Sequence, residues 1–314
     1  MADDLLAAAR AGDRRALARM LSAIERGDEL ARALDRAAFA AAGGAYTVGI
    51  TGAPGAGKST LTSATVATGR ARGDRIAVLA IDPSSPFTGG ALLGDRTRMN
   101  EHALDPGVFI RSMATRGHLG GLALAAPEAI RALDAAGFPW ILVETVGVGQ
   151  VEVEVAGRAD TTVVVVNPGW GDSVQANKAG LMEVADLFVV NKADRPGAEQ
   201  TVHDLEGMLD LTRGAGGADA WRPPVVAAVG TTGEGTTELW AAIEAHRAHL
   251  ERTGELERRR RARLVEELGQ VVVQRLRAAA EARLADGARE AIEADLLARR
   301  IDPWTAADRI LGPQ

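Results

Sequence analysis

The stretch Gly52-Ala53-Pro54-Gly55-Ala56-Gly57-Lys58-Ser59-Thr60 decides how the rest of the chain is read. Two glycines with four residues between them, followed by Lys58-Ser59, have the spacing of a phosphate-binding loop. Ahead of it, Tyr46-Thr47-Val48-Gly49-Ile50 is a short run that reads as a buried strand. Behind it, Leu61 to Arg72 has helical character and few breakers. Strand, glycine loop and helix start are the context such a loop requires, which argues against a chance glycine turn. Glycines let consecutive N–H groups turn inward, and the helix start adds the positive end of its dipole, so phosphate is held by main chain. Lys58 is placed for the β- and γ-phosphates and the Ser59 hydroxyl for Mg²⁺.

Composition limits what surrounds this loop. A chain of 314 residues allows one large or two smaller domains. It is 46% hydrophobic but only 4% aromatic, so its core is aliphatic. The net charge of −6 gives no electrostatic case for nucleic acid. Without cysteine there are no disulfides or thiolate metal sites, and the composition fits a reducing cytoplasm. Met1 to Arg10 carries acids where a signal peptide needs bases. No apolar run approaches the roughly 18–20 residues of a membrane span. Of 36 basic residues only Lys58, Lys178 and Lys192 are lysine. Where Arg is otherwise the rule, a retained Lys marks a place where a guanidinium does not fit. Lys58 is in the phosphate loop, so Lys178 becomes a candidate catalytic residue beside it.

Residues 1–42 alternate Ala/Leu patches with charge at helical spacing, broken at Gly12-Asp13 and Gly27-Asp28. They read as a helical extension of two or three helices that packs on the domain or on a partner. From 43 to 252, apolar runs alternate with helical segments: 46–51, 76–81, 108–111, 140–144, 161–167, 187–190 and 224–229. Continuous runs such as Val163 to Val166 belong to strands covered on both faces, so the domain is α/β with a mostly parallel, doubly wound sheet. Ligands of such sheets bind beyond the carboxyl ends of the strands.

The motifs fall there. Asp82 ends a strand beside the phosphate loop and opens a Pro/Gly-rich loop containing Asp95. Both are candidate Mg²⁺-directed carboxylates, with a turn or helix-cap role as the alternative. Glu144 ends the run Trp140–Val143, the Walker B arrangement, and Gly147 follows. The next residue is Val148, where small GTPases carry the Gln that positions water, and Gln150 lies farther on. Slow unassisted hydrolysis is expected. Asn191-Lys192-Ala193-Asp194 follows the run 187–190 and reads as the guanine reader NKxD. Asp194 accepts from the ring N1–H and exocyclic amine, Asn191 braces the loop, and the Lys192 stem covers the base. Val229, Gly230 and Thr231 are placed to meet the base from the other side. Between these lies 168–178, bounded by Pro168, Gly169 and Gly171 and holding Lys178; Trp170 is expected to be exposed or packed on a partner. Residues 253–314 change character. Arg258 to Arg261 read as a solvated helix face. Leu264, Leu268, Val271, Val272 and Leu276 form an apolar stripe on an arm that packs on the domain or a second subunit.

These stretches, with 82–99, 108–122, 144–150, 180–194 and 302–304, resemble the MeaB/ArgK (MMAA-type) family of GTPases over nearly the whole chain. That family sits within the SIMIBI group of P-loop NTPases. The resemblance implies a homodimeric chaperone that gates cofactor loading of an adenosylcobalamin-dependent acyl-CoA mutase, the cobalamin belonging to the mutase. It implies Asp82, Asp95 and Glu144 around Mg²⁺ with Ser59, a switch loop at 168–178 that senses the mutase, and a C-terminal dimerisation arm. Methylmalonyl-CoA mutase partners are similar, but they have a small residue and then Glu-Leu where this chain has Trp170 and Ser173-Val174. An isobutyryl- or hydroxyisobutyryl-type mutase is therefore a second partner class. A metal-inserting GTPase usually needs His/Cys clusters, and five scattered histidines without cysteine argue against it. For a transport-linked kinase, no acceptor site or kinase catalytic loop is visible.

Overall fold

The structure, a computed structural model, describes residues 1–82, 99–114, 119–145, 158–170, 181–211, 220–284 and 287–312. Contacts divide the chain into two compact units, Met1–Arg261 and Ala262–Gln314.

The first unit is built on seven strands: β1 (Tyr46–Gly52), β2 (Ile76–Asp82), β3 (Val108–Ala114), β4 (Trp140–Thr145), β5 (Thr161–Val166), β6 (Leu187–Asn191) and β7 (Val225–Ala228). They form one sheet in the order β3-β2-β4-β1-β5-β6-β7, every pairing parallel. Every residue of β1, β4, β5 and β6 is buried, as strands covered on both faces must be. The two-residue side-chain period divides them between layers. Val48, Ile50, Val78, Leu142 and Val163 face α4 (Lys58–Ala71) and α7 (Thr236–Thr253), meeting Leu61, Val66, Trp240 and Ile243. On the other side Leu79, Ile81, Ile141 and Val143 meet the helices α1 (Ala2–Arg10), α2 (Arg14–Arg26), α3 (Glu29–Ala41) and α5 (Leu119–Ala135). Farther along that side, Val164, Val166, Phe188 and Val190 meet α6 (Ala198–Leu211).

The amino-terminal helices are part of this layer. Met20, Leu21, Ile24 and Leu34 are buried with the sheet residues. Asp13 caps α2 by accepting from the N–H groups of Arg15 and Ala16, and Asp28 caps α3 through Ala31.

The Arg run departs from the reading of a solvated face. It lies in the first turns of α8 (Glu255–Arg283). Arg259 pairs with Asp186 at 3.0 Å, and Arg260 grips Asp160 at 2.7 and 3.1 Å while donating to the Ala45 carbonyl. Asp160 accepts from the β1 N–H of Thr47, and Asp186 from the β5 N–H of Thr162. Two buried carboxylates thus start two central strands, and adjacent arginines neutralise them. Removing one partner of a buried ion pair costs about 3–5 kcal/mol, because the other charge stays buried. Arg260→Ala should lose about that much unfolding free energy in urea, whereas Arg261→Ala, at an exposed position, should stay within about 0.5 kcal/mol. A loss under about 1 kcal/mol for Arg260→Ala contradicts this account.

Beside this pair Thr161 Oγ1 bonds Tyr46 Oη at 2.7 Å and His246 Nδ1 at 2.8 Å. Burial pushes the His246 pKa down to about 3, with Arg259 adding to the effect, so the ring is neutral at physiological pH.

The second unit holds the rest of α8 with α9 (Ala288–Leu297) and α10 (Pro303–Leu311). Arg300 and Arg309 both pair with Asp295, and Asp302 caps α10. Leu268, Val273, Leu276 and Trp304 are more than half exposed.

Among the described residues no helix is long and apolar enough to cross a membrane.

Candidate nucleotide site

The sheet order creates the site. The chain leaves β1 toward β2, and β4 later crosses over β1 to reach β5. The loops after β1 and β5 therefore diverge, leaving a crevice at the strands' carboxyl ends. Gly52 turns the chain there with φ +140°, and a Cβ on it would lie 2.0 Å from the Val165 carbonyl oxygen of β5. Only glycine passes. Gly57 caps the start of α4 with φ +85° and offers no side chain to that helix's first amides, which leaves the positive end of the helix dipole facing the loop. A Cβ on Gly57 would lie 2.5 Å from Asn191 Nδ2.

Lys58 is buried and folds back on the loop, donating to the carbonyls of Gly52 at 2.8 Å and Ala53 at 3.1 Å. Ser59 Oγ donates to Glu144 Oε1 at 2.5 Å. Glu144 is fully buried and stands in register with Ile50 of β1 and Ala80 of β2. Strand pairing thus brings a carboxylate and a hydroxyl, separated by 85 residues, to the mouth of the loop. Asp82 is the last residue of β2, its backbone in register with Ala114 on one side of the strand that also pairs β4. Asp95, Gly147, Val148, Gln150 and Lys178 lie outside the described residues.

Asn191 ends β6 and joins three segments. Its Nδ2 donates to the carbonyls of Ala56 at 2.7 Å and Gly57 at 3.4 Å, and its Oδ1 accepts from the Gly230 N–H at 3.0 Å. Lys192 adopts φ +59°, the left-handed region unusual for a residue with a Cβ, and its Nζ donates to the Gly55 carbonyl at 2.6 Å. Its ammonium therefore rests on the phosphate loop. Ala193 N–H bonds the Ala228 carbonyl of β7 at 3.0 Å, which fixes the turn presenting the exposed Asp194. Val229, Gly230 and Thr231 follow β7 in a turn closed by the Gly233 N–H to the Val229 carbonyl.

Two residues differ from the sequence reading or escaped it. Trp170 is neither exposed nor free for a partner: it is 7% exposed and packs with Leu181, Phe188 and Leu205. Its size reflects internal packing, so it does not bear on the partner class expected from the sequence. Asn167, passed over as part of a Pro/Gly loop, directly follows β5 and donates from Nδ2 to the Gly55 carbonyl at 3.4 Å. The signal available was its position directly after an apolar run, where Asp82, Glu144 and Asn191 also stand.

The whole arrangement can cradle an anion in backbone N–H groups, neutralise it with Lys58, present hard oxygen donors at Ser59 and Glu144, and offer a carboxylate to a base. The sequence profile of the family described as Methylmalonyl Co-A mutase-associated GTPase MeaB matches residues 15–285. A protein of Pyrococcus abyssi whose name assigns it, provisionally, to the GTPases is 52% identical over 311 residues, 99% of this chain and 96% of its own length. GTPase ArgK of Escherichia coli is 40% identical over 264 residues, 82% of this chain and 79% of its own. A solved structure described as an LAO/AO transport system kinase has 28% sequence identity and a TM-score of 0.73, covering 98% of this chain and 96% of that one.

Proposed function

The chain belongs to the MeaB family of GTPases, and from that premise we propose that its GTP hydrolysis serves a B12-dependent acyl-CoA mutase as a loading and protection chaperone. The observation that carries this reading is the extent of the family match, residues 15–285, which runs far beyond the nucleotide motifs that all P-loop GTPases need. The mutase is methylmalonyl-CoA mutase or an isobutyryl- or hydroxyisobutyryl-type relative, and the cobalamin is its cofactor. The pair works in the cytoplasm. Affinity capture from the native cell tests this: an acyl-CoA mutase should be retained in the GTP state, and its absence there would remove the chaperone role while leaving the GTPase intact.

In this reading Lys58 leaves the carbonyls of Gly52 and Ala53 for the β- and γ-phosphates, exchanging neutral acceptors for charged ones. Asn191 holds the base-side turn against the phosphate loop, and Asp194 selects guanine. P-loop GTPases of this kind use Mg²⁺ with the nucleotide. A buried carboxylate beside a hydroxyl is a donor set that a hard cation prefers, so the residues fit the ion. Ser59, with Asp82, Asp95 and Glu144 acting directly or through water, would hold it. Bound there, Mg²⁺ supplies neutralisation of charge on the β- and γ-oxygens. Ser59→Ala should therefore bind GTP with nearly the same affinity in EDTA as in Mg²⁺, where the wild type tightens. A variant that still tightens with Mg²⁺ like the wild type would refute this metal shell.

The assembly we propose is a homodimer joined through the C-terminal helices. Leu264, Leu268, Val272 and Leu276 recur every fourth residue on α8, each at least 46% exposed. A stripe of that kind is covered in a stable protein. Sedimentation equilibrium showing a monomer at micromolar concentration would remove the dimer.

A further inference from the structure

The Gly55 carbonyl at the apex of the phosphate loop is held by two side chains from different strands. Lys192 reaches it from just after β6 at 2.6 Å and Asn167 from just after β5 at 3.4 Å. The backbone that carries Asn167 is itself fixed. Its carbonyl accepts from the Trp170 N–H at 3.1 Å, Gly169 N–H donates to Thr201 Oγ1 of α6 at 3.1 Å, and Trp170 is sunk in the core. The orientation of the amide is decided by Gly55, because turning it over would set Oδ1 against a carbonyl oxygen. In this orientation Asn167 Oδ1 is buried and has no hydrogen-bond partner among the described residues. A buried amide oxygen wants a donor, and phosphate oxygens are acceptors. The ammonium of Lys192 converges on the same carbonyl and has three N–H groups, of which Gly55 takes one.

We propose that Asn167 is a positioning residue of the nucleotide site, forming with Lys192 a clamp on Gly55 in which Asn167 Nδ2 donates to the carbonyl and, once nucleotide is bound, the unpartnered Oδ1 accepts from the Lys192 ammonium. The clamp keeps the Gly55 carbonyl pointed away from the phosphates, so that the loop's N–H groups face them. It ties the segment leaving β5 to the grip on nucleotide, and it rests on the guanine-nucleotide reading of this site.

The test is the dissociation rate of a fluorescent GDP from the full chain, in wild type, Asn167→Ala, Asn167→Asp, Lys192→Ala and the two double variants, with thermal midpoints measured alongside. Asn167→Ala should release GDP about 3–10-fold faster, the effect of about one hydrogen bond. Asn167→Asp keeps an acceptor for Lys192 and should recover part of that loss, but only while Lys192 is present. The Asn167→Ala/Lys192→Ala double variant should fall short of the product of the single effects, since either loss already frees the carbonyl. Release within twofold of wild type, single effects that multiply, or equal behaviour of Asp with and without Lys192 would overturn the clamp. A lowered thermal midpoint with unchanged release would do the same and make Asn167 purely structural. A wild type that fails to bind guanine nucleotide removes both readings, whereas one that binds normally beside an unaffected variant removes the clamp alone.

Discussion

Asp194→Asn should lower GTP affinity by roughly 10⁴ and leave xanthosine triphosphate as the preferred nucleotide. In its proposed role the carboxylate would satisfy two donors that guanine presents together, and an amide in its place would set an N–H against one of them. Sites built on paired hydrogen bonds discriminate this strongly because the mismatched group is left unpaired. The side chain is exposed, so the effect depends on how firmly its turn is held. Asn191 bonds the phosphate loop on one side and Gly230 on the other, Lys192 rests on Gly55, and Ala193 bonds β7. A carboxylate on such a turn has little freedom to retreat. Calorimetric titration of both proteins with both nucleotides checks it. GTP affinity within about tenfold of wild type would remove Asp194 from base recognition.

Lys178→Ala should abolish stimulation of GTP hydrolysis by the cognate mutase. Groups missing from a GTPase site, once supplied, accelerate hydrolysis by about 10³–10⁵. That range corresponds to roughly 4–7 kcal/mol of barrier. Val148 stands where a water-positioning Gln would be, which leaves room for such a supply. Among three lysines in the chain, Lys58 and Lys192 both end with Nζ on carbonyls of the phosphate loop. A chain that otherwise uses arginine keeps lysine where a compact cation is needed, and we hypothesise the same use for the third. The readout is the ratio of turnover with mutase to turnover without it. This ratio should be large for wild type and close to one for Lys178→Ala, and Lys178→Arg should fail as well, since a planar guanidinium does not replace a point charge. A variant stimulated as fully as wild type would leave Lys178 without a catalytic role.

What the sequence determined by itself is the chemistry at the carboxyl ends of the strands. The phosphate loop and the NKxD turn are contiguous motifs, and their flanking strands are continuous apolar runs that declare a sheet buried on both faces. The helix breaks at Gly12-Asp13 and Gly27-Asp28 were legible for the same reason, since a cap acts within three residues. Tertiary structure alone decided what crosses the chain. An apolar strand pairs equally well with several neighbours, so the order β3-β2-β4-β1-β5-β6-β7 is not written in any one of them. That order sets Glu144 against Ser59 and carries Asn191 across 135 residues to Ala56. Trp170 was legible as a large apolar side chain in a loop, but whether such a side chain faces solvent or its own core depends on α6 lying beneath it. The four arginines at 258–261 are identical as letters. Helical phase turns Arg259 and Arg260 toward Asp186 and Asp160 while Arg258 and Arg261, three residues apart on one face, stay outside.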